Sequence, residues 1–164
     1  MPKVSEQVLI PHSAENLYEL VRDIRRYPEF IRWIRAVSVT QESGSANEAY
    51  SCLGKASVHF KGFDERFSTH VTADPVARTI EVTLERGPFR HLRNRWQFDP
   101  RDDGKTRVHC FIDYEFKSKM LGMLMGSMFD RAFRMFAEAF EKLFSLAALG
   151  LGQKHPSADI ADAA

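Results

Sequence analysis

The chain has 164 residues, a formal net charge of +1, 44% hydrophobic and 27% charged residues. These values are typical of one globular domain, and a charge near zero excludes a global attraction to nucleic acid or to an acidic surface. Because it contains no run of about 18 uncharged apolar residues and no signal or transit pattern, we expect a cytoplasmic protein without a membrane-spanning helix. Cys52 and Cys110 lack metal-binding or CxxC spacing, so both are predicted to be reduced core residues.

The N-terminal quarter is predicted to form one strand and two short helices. Residues 4–10 have the composition of a strand, and Ser13 is placed as the N-cap of a helix whose apolar residues recur at helical spacing through Ile24. Pro28 suits the start of a second short helix over residues 29–34. The two helices are expected to meet at the Tyr-Pro corner.

The middle of the chain changes to a hydrophobic period of two, which predicts strands joined by short turns. The predicted strands are 36–41, 48–58, 60–73, 79–85, 89–99 and 106–117. The last of them alternates most clearly, with Val108, Cys110, Ile112, Tyr114 and Phe116 on one face.

Residues 120–149 have the largest apolar face in the chain and are predicted to form one helix. At 1.5 Å per residue this helix would be ~45 Å long, with an apolar arc of roughly 200°. The residues of that arc are Leu121, Leu124, Met125, Met128, Phe129, Ala132, Phe133, Met135, Phe136, Ala139, Phe140, Leu143, Phe144, Leu146 and Ala147. A helix this apolar needs the rest of the chain to cover it.

The order of these elements predicts an α+β architecture. About seven antiparallel strands form a sheet that must curl, and the long helix is the element available to fill its concave side. We expect one domain over residues 1–149. Residues 150–164 have no periodicity and are predicted to be a disordered tail.

Three motifs in this order resemble the START-like superfamily, also described as the polyketide cyclase/dehydrase and lipid-transport group, which has the helix-grip fold. They resemble most its branch of coenzyme Q-binding proteins and ribosome association toxins. The first motif combines Pro11-His-Ser-Ala14 and Leu17-Tyr-Glu-Leu-Val21 with Asp23, Tyr27-Pro28 and Phe30; the second combines Gly87-Pro88-Phe89 with Leu92, Trp96, Phe98 and Pro100; the third is Asp113-Tyr-Glu-Phe116.

The resemblance implies two functions and does not separate them. One is a non-catalytic carrier or chaperone for ubiquinone, which supports quinone biosynthesis and respiratory electron transport. The other is a toxin that binds the large ribosomal subunit and blocks subunit joining. The resemblance implies no cofactor, with ubiquinone or a similar isoprenoid lipid as the bound ligand.

A hydrophobic cavity beneath the long helix is the binding site that these residues predict. Aromatic and flexible apolar side chains suit a flat quinone head with an isoprenoid tail, although the same residues could also form a filled core. The candidates are Phe63, Phe67, Leu84, Trp96 and Phe98 from the sheet, Leu124, Met128, Phe136 and Phe140 from the helix, and Phe30 and Trp33 at the mouth.

The start of the predicted helix has ten uncharged residues, 120–129, which include Met120, Gly122, Met123 and Gly126. The two glycines would loosen the first turns, so we interpret this segment as a gate or a membrane-docking surface. Ordinary packing on the sheet edge and a homodimer contact are the alternatives.

Two clusters of arginines could attract anionic lipid head groups or ribosomal RNA. Arg25, Arg26 and Arg32 lie near the short helices, and Arg90, Arg93 and Arg95 follow the Gly-Pro turn. The alternative is a pair of solvated faces that offset the acidic residues.

The sequence shows no arrangement typical of an enzyme. The six histidines are scattered without metal-binding spacing, and the carboxylates of Asp64 and Glu65 point to opposite faces of a strand. We therefore predict binding without catalysis.

Overall fold

A computed structural model describes residues 3–148 of the chain, with the side chains of residues 3–142, and shows seven strands and three α-helices in this range. The strands are β1 (Lys3–Ile10), β2 (Ile34–Ser43), β3 (Tyr50–Phe60), β4 (Phe63–Asp74), β5 (Thr79–Arg86), β6 (Phe89–Pro100) and β7 (Thr106–Phe116). The helices are α1 (Ala14–Arg22), α2 (Lys119–Met125) and α3 (Met128–Ala148), and a 3-10 helix covers Ile24–Glu29.

The seven strands form one antiparallel sheet in the order β1-β7-β6-β5-β4-β3-β2. The predicted α+β fold is confirmed: neighbouring strands from β2 to β7 form a meander, and β1 closes the far edge against β7. Register shifts in the β2–β3, β4–β5 and β6–β7 pairs add local bends to the twist. The sheet curves around α3, which lies on its concave side.

The alternation predicted for the last strand is confirmed. Every second residue of β7 from Thr106 to Phe116 is buried, and the residues between them are partly exposed. The two cysteines are also free and buried, as expected. Period-two patterning therefore located the inward face of this strand from the sequence alone.

Two helices contribute to the core on the concave face of the sheet. α1 buries Leu17, Leu20 and Val21 at one end, where the ring of Tyr18 lies edge-on to Phe98 at 6.3 Å. α3 buries its apolar face against the concave side, and Phe140 is completely inaccessible. None of the described helices is long and apolar enough to cross a bilayer.

The N-cap at Ser13 is confirmed, because its side-chain oxygen accepts the amide of Asn16 at 3.3 Å. The second helix predicted over residues 29–34 is wrong. A 3-10 helix occupies Ile24–Glu29 with Pro28 inside it, and the amides of residues 30 and 31 both donate to the carbonyl of Tyr27. Ile34 is already paired with Val58 of β3, so too few residues remain for a helix.

The single helix predicted over residues 120–149 is interrupted at Gly126 and Ser127. The hydroxyl of Tyr114 donates to the Gly126 carbonyl at 3.0 Å, the group that a continuous helix would pair four residues later. Met125 and Met128, on either side of the break, are both buried, so the apolar periodicity continues across it. For this reason the sequence pattern gave no sign of the break. The predicted stripe beyond residue 142 and the tail at 150–164 lie outside the described side chains.

Candidate binding cavity

A crevice lies between the concave face of the sheet and α3, and the cavity within it has a volume of about 140 Å³. This is below the ~300–1,000 Å³ that is typical of small-molecule pockets, and the crevice is open to solvent at its mouth. Its described lining residues are Ile34, Val37, Gly54, Lys55, Ala56, Val58, Phe67, Thr69, Val71, Val82, Leu92, Asn94, Trp96, Cys110 and Ile112 from the sheet, Ile24, Tyr27, Ile31 and Trp33 from the 3-10 helix and the loop after it, and Met128, Phe129, Ala132, Phe133 and Phe136 from α3.

Strand register brings distant residues into the rows that form the floor of this cavity. Ala56 pairs with Val37 on one side and with Phe67 on the other. Asn94 pairs in the same way with Val82 and Ile112. Because side chains on paired positions share a face, each row places three lining residues side by side.

Small residues keep the space between sheet and helix open. Gly54 lies beneath the 3-10 helix, and a Cβ atom there would be only 2.4 Å from the Cδ1 of Ile24. Ala56 on β3 and Ala132 on α3 also line the cavity. Larger side chains at these positions would fill it.

Aromatic rings form one wall. The ring of Trp96 lies 4.9 Å from that of Phe136 and 6.1 Å from that of Phe133, while the Tyr27 ring is 5.0 Å from Phe136. Such centroid separations are typical of packed aromatic pairs. The wall therefore presents polarisable ring faces and edges to the cavity.

Few polar groups reach the cavity, and most are already paired. The Asn94 amide donates to the carbonyl of Phe111 at 2.9 Å and accepts the indole N–H of Trp96 at 2.8 Å. The hydroxyl of Thr69 makes no hydrogen bond to another described residue, although the residue is buried. It is therefore available to a bound molecule.

Tyr27 and Cys110 of the cavity wall are held in their protonated forms. Burial raises the pKa of Tyr27 far above its ordinary value, and its hydroxyl donates to the carbonyl of Val21 at 2.5 Å. Burial also raises the pKa of Cys110 to about 12. The described lining residues include no histidine, aspartate or glutamate, so this wall offers no general base.

The described part of the chain has no cluster of three or more His, Cys, Asp or Glu side chains able to hold a metal ion. His109 and Asp113, on one face of β7, each bind a different partner. The first contacts Asp99 and the second His91, both at 3.0 Å. These pairs lie on the side of the sheet opposite the cavity.

Five of the eleven predicted ligand-binding residues line the cavity: Trp33, Phe67, Trp96, Met128 and Phe136. The other six lie in or around the core instead. Phe98 and Phe140 are fully buried, and Leu84 and Leu124 are partly buried at the margin of the core. The ring centroid of Phe30 lies 5.2 Å from that of Phe136. Phe63 is partly buried where β4 begins, paired with Phe60 of β3.

Several lining residues were missed by the sequence reasoning. Cys110 and Ile112 had a usable signal, since the alternation in β7 already placed them on the inward face. Ile31 was assigned to a helix that does not exist, and Val37 had no signal because the pairing of β2 was unknown.

The segment interpreted as a gate or docking surface is exposed. Met120 and Met123 have 59% and 86% of their surface accessible. A Cβ atom at Gly122 would contact nothing within 4 Å, whereas one at Gly126 would lie 2.6 Å from the carbonyl oxygen of Gly122.

Most of the predicted basic patch is neutralised within the chain. Arg93 and Arg95 both bind Glu81, at 3.1 and 2.9 Å, and Arg32 is exposed. The remaining pairs are Arg25 with Glu42 at 3.0 Å, Arg26 with Glu29 at 3.6 Å and Arg90 with Glu115 at 3.8 Å.

A curled antiparallel sheet that grips a C-terminal helix over an apolar cavity defines a START-like, helix-grip protein. Sequence comparison supports the same class. The model of the family described as polyketide cyclase / dehydrase and lipid transport matches residues 10–141, and the chain belongs to this family.

The relatives carry names from both of the functions considered above. The chain is 31% identical over 137 residues to ribosome association toxin RatA of Pseudomonas aeruginosa, which covers 84% of this chain and 91% of the relative. It is 30% identical over 117 residues to the mitochondrial coenzyme Q-binding protein coq10 of Schizosaccharomyces pombe, with coverages of 71% and 70%. These names are not those of enzymes.

Solved structures show the same fold. An 18 kDa protein of Caulobacter crescentus is similar with a TM-score of 0.73 and 33% identity, and the match covers 92% of this chain and 99% of the other. An aromatase/cyclase from Streptomyces shares the fold with a TM-score of 0.62 at 22% identity, over 93% of this chain and 92% of the other. The fold therefore also hosts enzymes.

Proposed function

We propose that this protein binds ubiquinone or a similar isoprenoid quinone in the cavity and carries it without chemical change. In this role it would support quinone biosynthesis and respiratory electron transport. The observation that carries the proposal is the open, apolar, aromatic-walled crevice between the sheet and α3.

The chemistry of the crevice suits such a ligand. A quinone head is a flat ring with two carbonyl acceptors, and the ring faces of Trp96 and Phe133 offer a stacking surface. The Thr69 hydroxyl supplies one donor for a carbonyl. The remaining wall is almost entirely apolar, as an isoprenoid tail requires.

The family description and one relative point in the same direction. The family is described as including lipid transport, and coq10 is named a coenzyme Q-binding protein. Non-catalytic action is part of the proposal. It is supported by the protonated states of Tyr27 and Cys110 and by the lack of an acidic or histidine side chain among the described lining residues.

The test uses the two tryptophans of the chain, Trp33 and Trp96, because both line the cavity. A short-chain ubiquinone titrated into the purified protein should quench their fluorescence saturably. Organic extraction of protein purified from cells should release quinone detectable by mass spectrometry. Absence of both signals would refute the proposal.

A cavity-filling variant provides a sharper test with a matched control. Ala132→Phe should block quinone uptake, because Ala132 lines the cavity. Ala139→Leu alters the same helix at a partly buried position outside the cavity lining and should retain uptake. Equal quinone binding by both variants would place the ligand elsewhere.

Association with the ribosome is the second candidate, favoured by 31% identity to RatA over 84% of the chain. In this alternative the protein would bind the large subunit and block subunit joining. Salt-sensitive co-sedimentation with purified large subunits would support it. Arg25, Arg90, Arg93 and Arg95, four of the six arginines predicted for such contacts, are paired with carboxylates of the chain itself, which is why we place it second.

A further inference from the structure

The antiparallel meander gathers several connections at one end of the sheet. The turn at residues 61–62 between β3 and β4, the turn at 87–88 between β5 and β6, and the end of β7 all lie there. The amide of Lys117 donates to the carbonyl of Pro88 at 2.9 Å, which fixes the start of the segment that leads into α2. We call this region the α2 end of the sheet.

α2 exposes two large apolar side chains at this end. Met120 and Met123 are three residues apart, so they lie on one face of the helix. They are 59% and 86% accessible, whereas Met125 on the other side is buried. Flexible methionines exposed together have no contribution to make to folding, and such a patch is typical of an interaction surface.

Positive charge surrounds these methionines. Exposed cations at the α2 end are Lys61, Arg86, Arg90, Lys117 and Lys119. Three of the nearby acidic side chains have partners: Asp64 contacts His59, Glu85 accepts the Ser68 hydroxyl, and Glu115 pairs with Arg90. Among the ion pairs between described residues, none involves Lys61, Arg86, Lys117 or Lys119.

The opposite end of the sheet has a different character. Its turns carry the exposed carboxylates of Glu48, Asp74, Asp102 and Asp103 together with the exposed cations of Arg101 and Lys105. It also exposes two large apolar side chains, Val76 at 85% and Leu9 at 38% accessibility. Among the described residues, exposed methionines occur only at the α2 end.

We propose that the α2 end docks on an anionic lipid bilayer, with Met120 and Met123 inserted at the level of the head groups and Lys117 and Lys119 against the phosphates. Basic residues beside exposed apolar side chains are the pattern of interfacial membrane binding. RNA would use the lysines but gain nothing from the methionines. This inference rests on the proposed function in one respect: it assumes that the ligand in the cavity is a lipid taken from the membrane.

The position of α2 connects docking with the cavity. Only two residues separate the end of α2 from the start of α3, and the first residues of α3, Met128 and Phe129, already line the cavity. The Phe129 ring packs 4.5 Å from Tyr114, whose hydroxyl holds the break between the helices. Docking would therefore bring the bilayer close to the helix that covers the ligand site.

Co-sedimentation with vesicles tests the proposal, using phosphatidylcholine alone and phosphatidylcholine with about one third phosphatidylglycerol. The wild type should bind the anionic vesicles and lose binding at high salt. A double variant, Met120→Ser with Met123→Ser, should bind at least about tenfold more weakly, and each of Lys117→Ala and Lys119→Ala about fivefold more weakly. Val76→Ser, equally exposed at the opposite end, should bind as the wild type does.

Three contrary results would each overturn the proposal. Unchanged vesicle binding by the methionine variant excludes insertion. Analytical ultracentrifugation tests for a dimer. If the wild type forms a dimer and binds no vesicles, and the methionine variant is a monomer, the patch is assigned to a second copy. Binding to large ribosomal subunits that depends on the lysines but not the methionines assigns it to RNA.

Quinone binding is measured separately, by fluorescence titration with short-chain ubiquinone in the absence of vesicles. The methionine variant should retain it, because Met120 and Met123 do not line the cavity. If membrane docking fails, vesicle binding is absent but quinone still quenches the fluorescence. If the proposed function fails, quinone causes no quenching, whatever the vesicle binding.

Discussion

The hydroxyl of Tyr114 donates a hydrogen bond to the backbone carbonyl of Gly126 at 3.0 Å. This contact joins the last strand of the sheet to the break between α2 and α3. A helix carbonyl that loses its normal partner must find another, and here the sheet supplies it. The position of the break is therefore set by tertiary structure rather than by the apolar pattern of the helix.

Tyr114→Phe should lower the free energy of unfolding by about 1 kcal/mol, since one buried hydrogen bond is lost. Amide exchange in residues 119–131 should also become faster. Tyr18→Phe is the matched control: the hydroxyl of Tyr18 is buried and has no hydrogen-bond partner among the described residues, so its removal should be neutral or stabilising. Equal destabilisation by the two variants would contradict the role given to Tyr114.

The two glycines of the α2 segment should respond in opposite ways. Gly122→Ala places a methyl group in open space and should raise the free energy of unfolding by up to ~1 kcal/mol. Gly126→Ala should lower it, because the new Cβ would lie 2.6 Å from the Gly122 carbonyl oxygen. Chemical denaturation of both variants checks this prediction, and stabilisation by both would contradict it.

If the α2 segment also acts as a gate, the stiffer Gly122→Ala variant should take up quinone more slowly than the wild type. Stopped-flow fluorescence with short-chain ubiquinone measures this rate. An unchanged rate would leave the segment without a gating role, while the equilibrium affinity serves as the internal control.

Thr69→Val should weaken quinone binding by about fivefold, which corresponds to one hydrogen bond of about 1 kcal/mol. The same change removes a hydroxyl that has no hydrogen-bond partner among the described residues, so the free protein should not lose stability. Fluorescence titration and thermal denaturation measure the two effects. Unaltered affinity would show that Thr69 does not contact the ligand.

Glu42 should make stability depend on acidic pH. Hydrogen bonds from Arg25 at 3.0 and 3.2 Å, and from the Tyr50 hydroxyl at 2.6 Å, lower the pKa of Glu42 from 4.5 to about 2. A carboxylate with a lowered pKa stabilises the fold above pH 4.5, and this contribution is lost as the pH falls toward 2.

Glu42→Gln should therefore show a smaller fall in stability between pH 4.5 and 2 than the wild type. Because Glu42 is 39% exposed, solvent screening will keep the difference small. Glu48→Gln, in the neighbouring turn, should follow the wild-type profile. Identical profiles for all three proteins would show that the Arg25 contact does not persist in solution.

The architecture was predictable because it follows from local periodicity. The alternation in β7 identified its buried face, and the apolar arc of α3 required a concave surface to cover it. The break at Gly126 was not predictable in this way, because it depends on a hydroxyl twelve residues away in the sequence.

The cavity was predictable in its existence and only partly in its lining. Trp96 and Phe136 were identified because large residues on inward faces are visible in the sequence. Phe98 and Phe140 share that pattern but pack into the core, since depth beneath the surface is set by the curvature of the sheet. Val37 and Phe67 both pair with Ala56, from β2 and β4 respectively, so they lie in one row of the sheet. This row can be recognised only when the strand register is known.

The pairing of β1 with β7 has a consequence for how the molecule is made. Lys3 lies opposite Asp113, so the first strand finds its partner only after more than a hundred further residues have been synthesised. Contacts this distant along the chain close late in folding. Under the proposed function, quinone loading therefore waits until translation has delivered the C-terminal half.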